Sequence, residues 1–158
     1  MSLRTRPWNR IPQPVYSLST LHQGKINMNI CTYVTPITMD PKQYLVGVYH
    51  DTQTFTALQA TGQGLLQSLT IPQAPLVRPL GQKSGQSFDK HTYLKNKSQR
   101  YHNLAYLPQS LSILHITVES WIPGIDHDLV ICNVVSWKNL TNHTPLTLTY
   151  LKENKIIR

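Results

Sequence analysis

In the stretch VGVYHDTQTFTALQATG, residues 46–62, three side-chain oxygens crowd one junction: Asp51, Thr52 and Thr54. The apolar start reads as a strand, and the run after it as a short helix over about 54–61 that Gly62 can end. The first turn of a helix presents unpaired N–H groups and the positive end of its dipole. Hydroxyls there can complete a phosphate site. The same oxygens can also serve as an ordinary N-cap, and Asp51 opposes an anion unless it points away. Upstream, NMNICTYVT sets Asn27, Asn29, Thr32 and Thr35 on an apolar ribbon. Those groups can hydrogen-bond the edge of a flat heteroaromatic ring, or they can face solvent. His127, between Asp126 and Asp128, reads as a turn residue bonded to a neighbouring carboxylate. Cys31 sits in an apolar segment with no histidine spaced to activate it, which fits packing and not nucleophilic chemistry. The seven histidines lack HExxH or CxxC companions, so no metal is expected.

These residues need elements to hold them. Residues 1–14 carry three prolines and should form an extended arm, with one domain over 15–158. Residues 15–21 fit a strand or a loop. Residues 27–38 alternate and are rich in Thr, Tyr, Val and Ile, which favours a strand. Asp40-Pro41 marks a turn into a second strand over 44–49, which suggests a hairpin. A third short strand spans 65–69. Residues 72–79 are proline-rich and irregular, and the polar stretch 81–103 has room for one short helix starting near Ser84 or Ser87. LSILHITVESW (111–121) and LVICNVVSW (129–137) are strong strands, and 146–151 reads as a last one. About six strands with one or two short helices argue for a mainly β, antiparallel, Greek-key-like barrel. Trp121, Trp137 and Tyr150 are expected in the core or in a dimer contact. No GxGxxG turn follows a strand, which disfavours a Rossmann domain.

The chain has 15 Lys and Arg against 7 Asp and Glu, a net charge of +8. That balance suits an anionic partner: nucleic acid, a membrane surface or a phosphorylated cofactor. It equally describes a generally basic surface. Nucleic acid is disfavoured because no aromatic stacking stripe accompanies the charge. There is no apolar run of about 18 residues to span a membrane and no signal-peptide core. Two cysteines without CxxC spacing suit a reducing compartment, so a cytoplasmic location is expected.

Taken in order, these motifs resemble the flavin reductase-like family, the FMN-binding split barrel. Thr52-Gln53-Thr54 is similar to its Ser-x-Thr phosphate segment. Residues 28–35 before Met39-Asp40-Pro41 resemble the segment that lines the isoalloxazine. GLLQSL, residues 64–69, resembles the next strand, with Gln67 where the family often has Asn. KSGQSFDK, residues 83–90, and GIDHDLVICNVV, residues 124–135, resemble its Ser-Gly…Asp-Lys and Gly-Asp-His segments. His50 stands where many relatives have Arg, and Ile125 is inserted before Asp126.

The resemblance implies an FMN site. Thr52 and Thr54 would hold the phosphate, with Lys90 neutralising charge. Asn29, Ile30, Cys31 and Thr32 would bond the ring through their backbone, Gln67 and Ser68 would lie beside it, and His127 would position a nicotinamide. It further implies a homodimer and an NAD(P)H-dependent flavin oxidoreductase. The same fold without hydride turnover would be an electron carrier, and a cofactor-free basic barrel binding nucleic acid is the reading from charge alone.

Overall fold

A computed structural model describes residues 3–83 and 87–158. Strands β1 (Tyr16–His22) and β2 (Lys25–Met28) form a tight hairpin through Gln23 and Gly24, both at positive φ. Then follow β3 (Val34–Thr38), β4 (Gln43–Tyr49), helix α1 (Gln53–Thr61) and β5 (Gln63–Ser68). A 3-10 helix (Ile71–Leu76) and a π-helical turn (Arg78–Gln82) lead to α2 (Lys90–Lys95), the small hairpin β6 (Gln99–Tyr101) and β7 (Leu104–Tyr106), the long strands β8 (Ser112–Ile122) and β9 (His127–Asn139), and α3 (Leu148–Glu153).

Seven strands form one antiparallel sheet in the order β2-β1-β5-β8-β9-β4-β3. β1 is buried on both faces, so it alternates poorly in sequence: Ser17, Leu18, Ser19 and Thr20 are all covered. One core, with Met28, Leu69, Leu80, Leu94 and Leu151, lies on the side of α2 and α3. A second, with Leu18, Val46, Val48, Leu58, Ile116 and Val130, lies under α1, and a third, smaller one joins Leu65, Leu104, Tyr106 and Ile113.

The mainly β, antiparallel architecture agrees with the sequence reading. The ladder is open, however, with β2 and β3 as its edges, so no closed ring of hydrogen-bonded strands is seen. The segment 29–33 bridges those two edges. Cys31 exchanges backbone bonds with Tyr16 (2.9 and 2.8 Å), and Tyr33 O accepts the Gly47 N–H at 2.8 Å.

Several elements differ from expectation. Residues 27–38 are two strands and not one, because Asn29 Oδ1 accepts the Leu18 N–H at 2.9 Å and replaces a ladder carbonyl. Residues 146–151 are not a strand. Thr147 Oγ1 accepts the Tyr150 N–H at 3.2 Å, caps α3, and turns the chain so that Leu151 enters the core. The helix in the polar stretch begins at Lys90 with Asp89 as cap, not at Ser87. Ser84 lies outside the described residues. The hairpin β6–β7 turns on His102 and Asn103, at φ 49 and 66, and was not foreseen. In the N-terminal arm, Pro7–Asn9 make one exposed 3-10 turn. No helix among the described residues is long and apolar enough to cross a membrane.

Candidate functional site

The start of α1 resolves what its oxygens do. Thr52 is the N-cap: its Oγ1 donates to Tyr49 O at 2.9 Å and accepts the Phe55 N–H at 3.2 Å. Thr54 is buried, and its Oγ1 accepts Asn27 Nδ2–H at 2.8 Å. Thr52 O takes the Thr56 N–H. The Gln53 and Thr54 amides therefore remain as the first-turn donors without an intrahelical partner. No acidic residue lies in that turn, and Asp51, exposed at φ 58, is outside the cavity it borders. Gly62 ends the helix in the left-handed conformation expected of it.

The first turn opens on a cavity of about 290 Å³. Asn27 and Asn29 enter it from β2 and the segment after it, Tyr49 from the end of β4, Leu80 from the π-helical turn, Lys83 from just after that turn, and Lys90 from α2. Lys90 is buried, and its ammonium donates to Met28 O (2.9 Å) and Leu80 O (2.8 Å). Burial pulls its pKa down from 10.5 to about 8. The ion pairs found among the described residues are both His–Asp pairs, so this buried cation has no carboxylate partner there. Asn27 adds an orphan: its Oδ1 is buried with no hydrogen-bond donor among the described residues.

Of the residues expected in the site, Asn29, Ile30, Thr52, Thr54 and Lys90 meet on this cavity. The others sit elsewhere. Cys31 is in the core under α1, its thiol pushed up to about 12 by burial, and Cys132 is in the same condition. Thr32 is half-buried outside the lining. Gln67 is fully buried and committed, Oε1 accepting the Leu107 N–H at 2.7 Å and Nε2 reaching Met28 Sδ at 3.6 Å. Ser68 faces the Ser112 hydroxyl at 3.5 Å across the β5–β8 ladder. Tyr49, Gln53 and Lys83 line the cavity without having been singled out as binding residues. Only the position of Tyr49, last in its strand and beside the helix cap, signalled it in sequence.

His127 stands at the rim. Its Nδ1 lies 2.9 Å from Asp126 Oδ1, and its ring meets the edges of Tyr33 and Tyr49, both at 5.0 Å between centroids. Tyr33 can sit so low because residue 47 is glycine: a Cβ there would lie 2.9 Å from Tyr33 Cβ. The hydrogen bond from His127 holds the Asp126 carboxyl below its ordinary range. His50 does the same for Asp128 across 2.7 Å, tying the start of β9 to the turn before α1. The whole is a basic, acid-free cavity with an aromatic and imidazole rim. Its lysines, with no carboxylate among the described lining residues, suit an anionic ligand.

Comparison with known families decides the identity. The family described as flavin reductase like domain matches residues 8–155. The chain belongs to this family. Flavin reductase-like chains of known structure share its fold. An FMN-binding protein from Thermus thermophilus, with bound p-hydroxybenzaldehyde, is 19% identical with a TM-score of 0.76, covering 88% of this chain and 81% of that one. Flavoredoxin from Methanosarcina acetivorans is 15% identical with a TM-score of 0.75, covering 92% and 79%. An NADH:FAD oxidoreductase from Streptomyces globisporus C-1027, in complex with NAD and FAD fragments, is 13% identical with a TM-score of 0.79, covering 90% and 84%. No curated protein matches the sequence.

Proposed function

We propose that this flavin reductase-like chain is a split-barrel, single-domain oxidoreductase that takes electrons from NAD(P)H onto a flavin whose FMN unit occupies the cavity beside α1. One observation carries the reading: a buried lysine without a carboxylate partner among the described residues shares a cavity with an acid-free helix N-terminus. A phosphate monoester, carrying nearly two negative charges, is the complement of that arrangement. The donor set fits the group. The Gln53 and Thr54 amides and the Lys90 ammonium face anionic oxygens, while Asn27 Oδ1 is free to accept from a polyol hydroxyl. Bound flavin would supply the hydride chemistry, which belongs to the cofactor.

The protein's own residues bind and orient. Thr52 holds the helix start in place. Asn29 and Ile30, which line the cavity, would offer backbone groups to the ring edge. His127, its Nδ1 turned to Asp126, offers Nε2 as an acceptor at the rim, where a carboxamide N–H of a nicotinamide would align the second ring. Alignment is the main demand of hydride transfer. The partners are thus NAD(P)H and flavin, in a cytoplasmic protein.

A homodimer fits the outer face of β9, where Leu129, Val135 and Trp137 are exposed in alternation. The test is the visible spectrum after adding flavin and desalting, then after adding NADH or NADPH. A retained yellow band that bleaches supports the proposal. A flavin band indifferent to both nucleotides leaves an electron carrier, and a colourless protein with no measurable flavin affinity removes the flavin reading. His127→Ala is expected to lower the bleaching rate at least tenfold with flavin still bound, since one misplaced orienting contact costs on that order.

A further inference from the structure

Residues 3–12 precede the sheet and contribute nothing to its cores. Their one turn, Pro7–Asn9, is closed by local bonds: Asn9 N–H to Arg6 O at 2.9 Å and Arg10 N–H to Pro7 O at 3.1 Å. Backbone bonds to the body begin at Gln13, whose O accepts the Leu148 N–H at 2.9 Å, and at Val15, whose N–H donates to Leu146 O at 2.9 Å.

Three large apolar side chains of this arm face water. Leu3 is 89% exposed, Trp8 65% and Ile11 70%. Trp8 and Ile11 are three residues apart across the turn, the spacing that shares a side in 3-10 geometry. Interleaved with them are Arg4, Arg6 and Arg10, all exposed. The Arg6 guanidinium lies 5.8 Å from the Trp8 ring centroid, within cation–π reach. Neither Arg6 nor Arg10 meets a carboxylate among the described residues. The sequence has no Asp or Glu before Asp40. One exposed apolar residue is ordinary on a protein surface. Three, alternating with three arginines and no acid, need a partner that is both anionic and apolar.

Nucleic acid meets only half of that need. Leu3 and Ile11 have no aromatic face for a base to stack on, and the arm holds a single aromatic, Trp8. A protein groove reads a helix face or a strand edge, and Pro7 and Pro12 interrupt both. A bilayer with anionic headgroups requires neither. Aliphatic and indole side chains enter the boundary between headgroups and acyl chains, while arginines stay at the phosphates.

We propose that the arm over residues 3–12 docks the protein onto an anionic phospholipid surface, with Leu3, Trp8 and Ile11 inserted and the arginines at the headgroups. It lies on the bilayer and is far shorter than the roughly 20 residues that would span it. The cytoplasmic leaflet presents such a surface. No arm residue lines the cavity beside α1, so the proposal is independent of the flavin reading.

The experiment is co-sedimentation of the full chain with phosphatidylcholine vesicles and with phosphatidylserine-rich vesicles, at low and high salt. Two paired variants are compared with the natural chain: Arg6→Glu with Arg10→Glu, and Trp8→Ser with Ile11→Ser. A control, Lys95→Glu with Lys97→Glu, makes the same change of net charge at exposed positions of another segment. Circular dichroism checks that each folds. The natural chain is expected to prefer the phosphatidylserine-rich vesicles by about tenfold or more, and to lose that preference in high salt. Each arm pair should weaken binding by about tenfold or more, since one arginine at such a surface is worth on the order of fivefold. The control should bind nearly as the natural chain does. Tryptophan fluorescence should shift to the blue on adding these vesicles, and Trp8→Ser should abolish the shift. Equal binding to both vesicle types, or binding indifferent to both arm pairs, overturns the proposal. An equal loss in the control also overturns it, by assigning the effect to net charge. A chain that ignores vesicles yet binds a single-stranded RNA oligonucleotide through Arg6 and Arg10 overturns it in favour of nucleic acid.

Discussion

Lys90 is the residue on which pH should act. Its folded pKa of about 8 lies below the ordinary 10.5, so on raising pH the folded chain loses that proton before the unfolded chain does. Between those values the unfolded state binds more protons, and the Lys90 contribution to stability rises with pH. A bound phosphate reverses the preference, because it favours the charged ammonium. Flavin affinity is therefore expected to fall as pH rises through about 8, with proton uptake on binding near that pH. Calorimetry in buffers of different ionisation enthalpy measures the uptake, and Lys90→Met should abolish both the uptake and the slope. Thr52 has a plainer role. Thr52→Ala removes a cap and is expected to cost about 1 kcal/mol in a denaturant melt, with flavin affinity weakened in step as the helix start frays. Unchanged affinity in the Thr52→Ala, Thr54→Ala double variant would remove the phosphate from this position.

At the scale of elements, the site depends on a joint between β4, α1 and the loop before β9. His50 N donates to Asp126 O at 2.9 Å, His50 Nε2 meets Asp128 Oδ1, and the Gly124 N–H reaches the same oxygen at 3.3 Å. This joint fixes the distance between the first turn of α1 and His127. Asp128 is held below its ordinary 3.8, first by the His50 bond, so the joint is intact at neutral pH. Its side-chain part weakens as acid protonates that carboxyl below the ordinary value, while the His50 N–Asp126 O bond does not titrate. Asp128→Asn is expected to speed amide hydrogen exchange at Gly124 and His50 while leaving exchange in the centre of β8 unchanged. Equal exchange at those two amides would show that the loop is held by other contacts. Gly47 sets a second constraint: Gly47→Ala must push Tyr33 outward, since the added Cβ has no room against Tyr33 Cβ. The loss should appear in nicotinamide KM before flavin affinity.

For the whole molecule, the outer face of β9 is the feature left without a covering element. Trp137 is 64% exposed and Val135 52%, on a strand otherwise paired on both edges by β8 and β4. An exposed apolar stripe of this kind suits the proposed dimer contact. Trp137→Glu is expected to convert the proposed dimer to a monomer in sedimentation velocity, with the circular dichroism spectrum unchanged. A natural chain that already sediments as a monomer would remove the dimer.

The elements set by local composition were legible in the sequence: β4, β8 and β9 are rich in β-branched and apolar residues, and α1 is flanked by its cap at Thr52 and its stop at Gly62, so local propensity was enough. The family's motifs were legible for the same reason, as short runs in a fixed order. Only the tertiary structure decided the rest. β1 is covered on both faces, so its polar residues gave no period. Asn29 ends a strand by bonding Leu18, eleven residues away, which no local pattern records. Lys90 reaches Met28 across 62 positions of chain, and His50 reaches Asp128 across 78. Gln67 and Cys31 share segments with site residues, yet strand alternation and burial turn them into the core. Spacing along the chain fixes which face a side chain takes, but strand register and helix docking fix what it meets, and the cavity is made of such meetings.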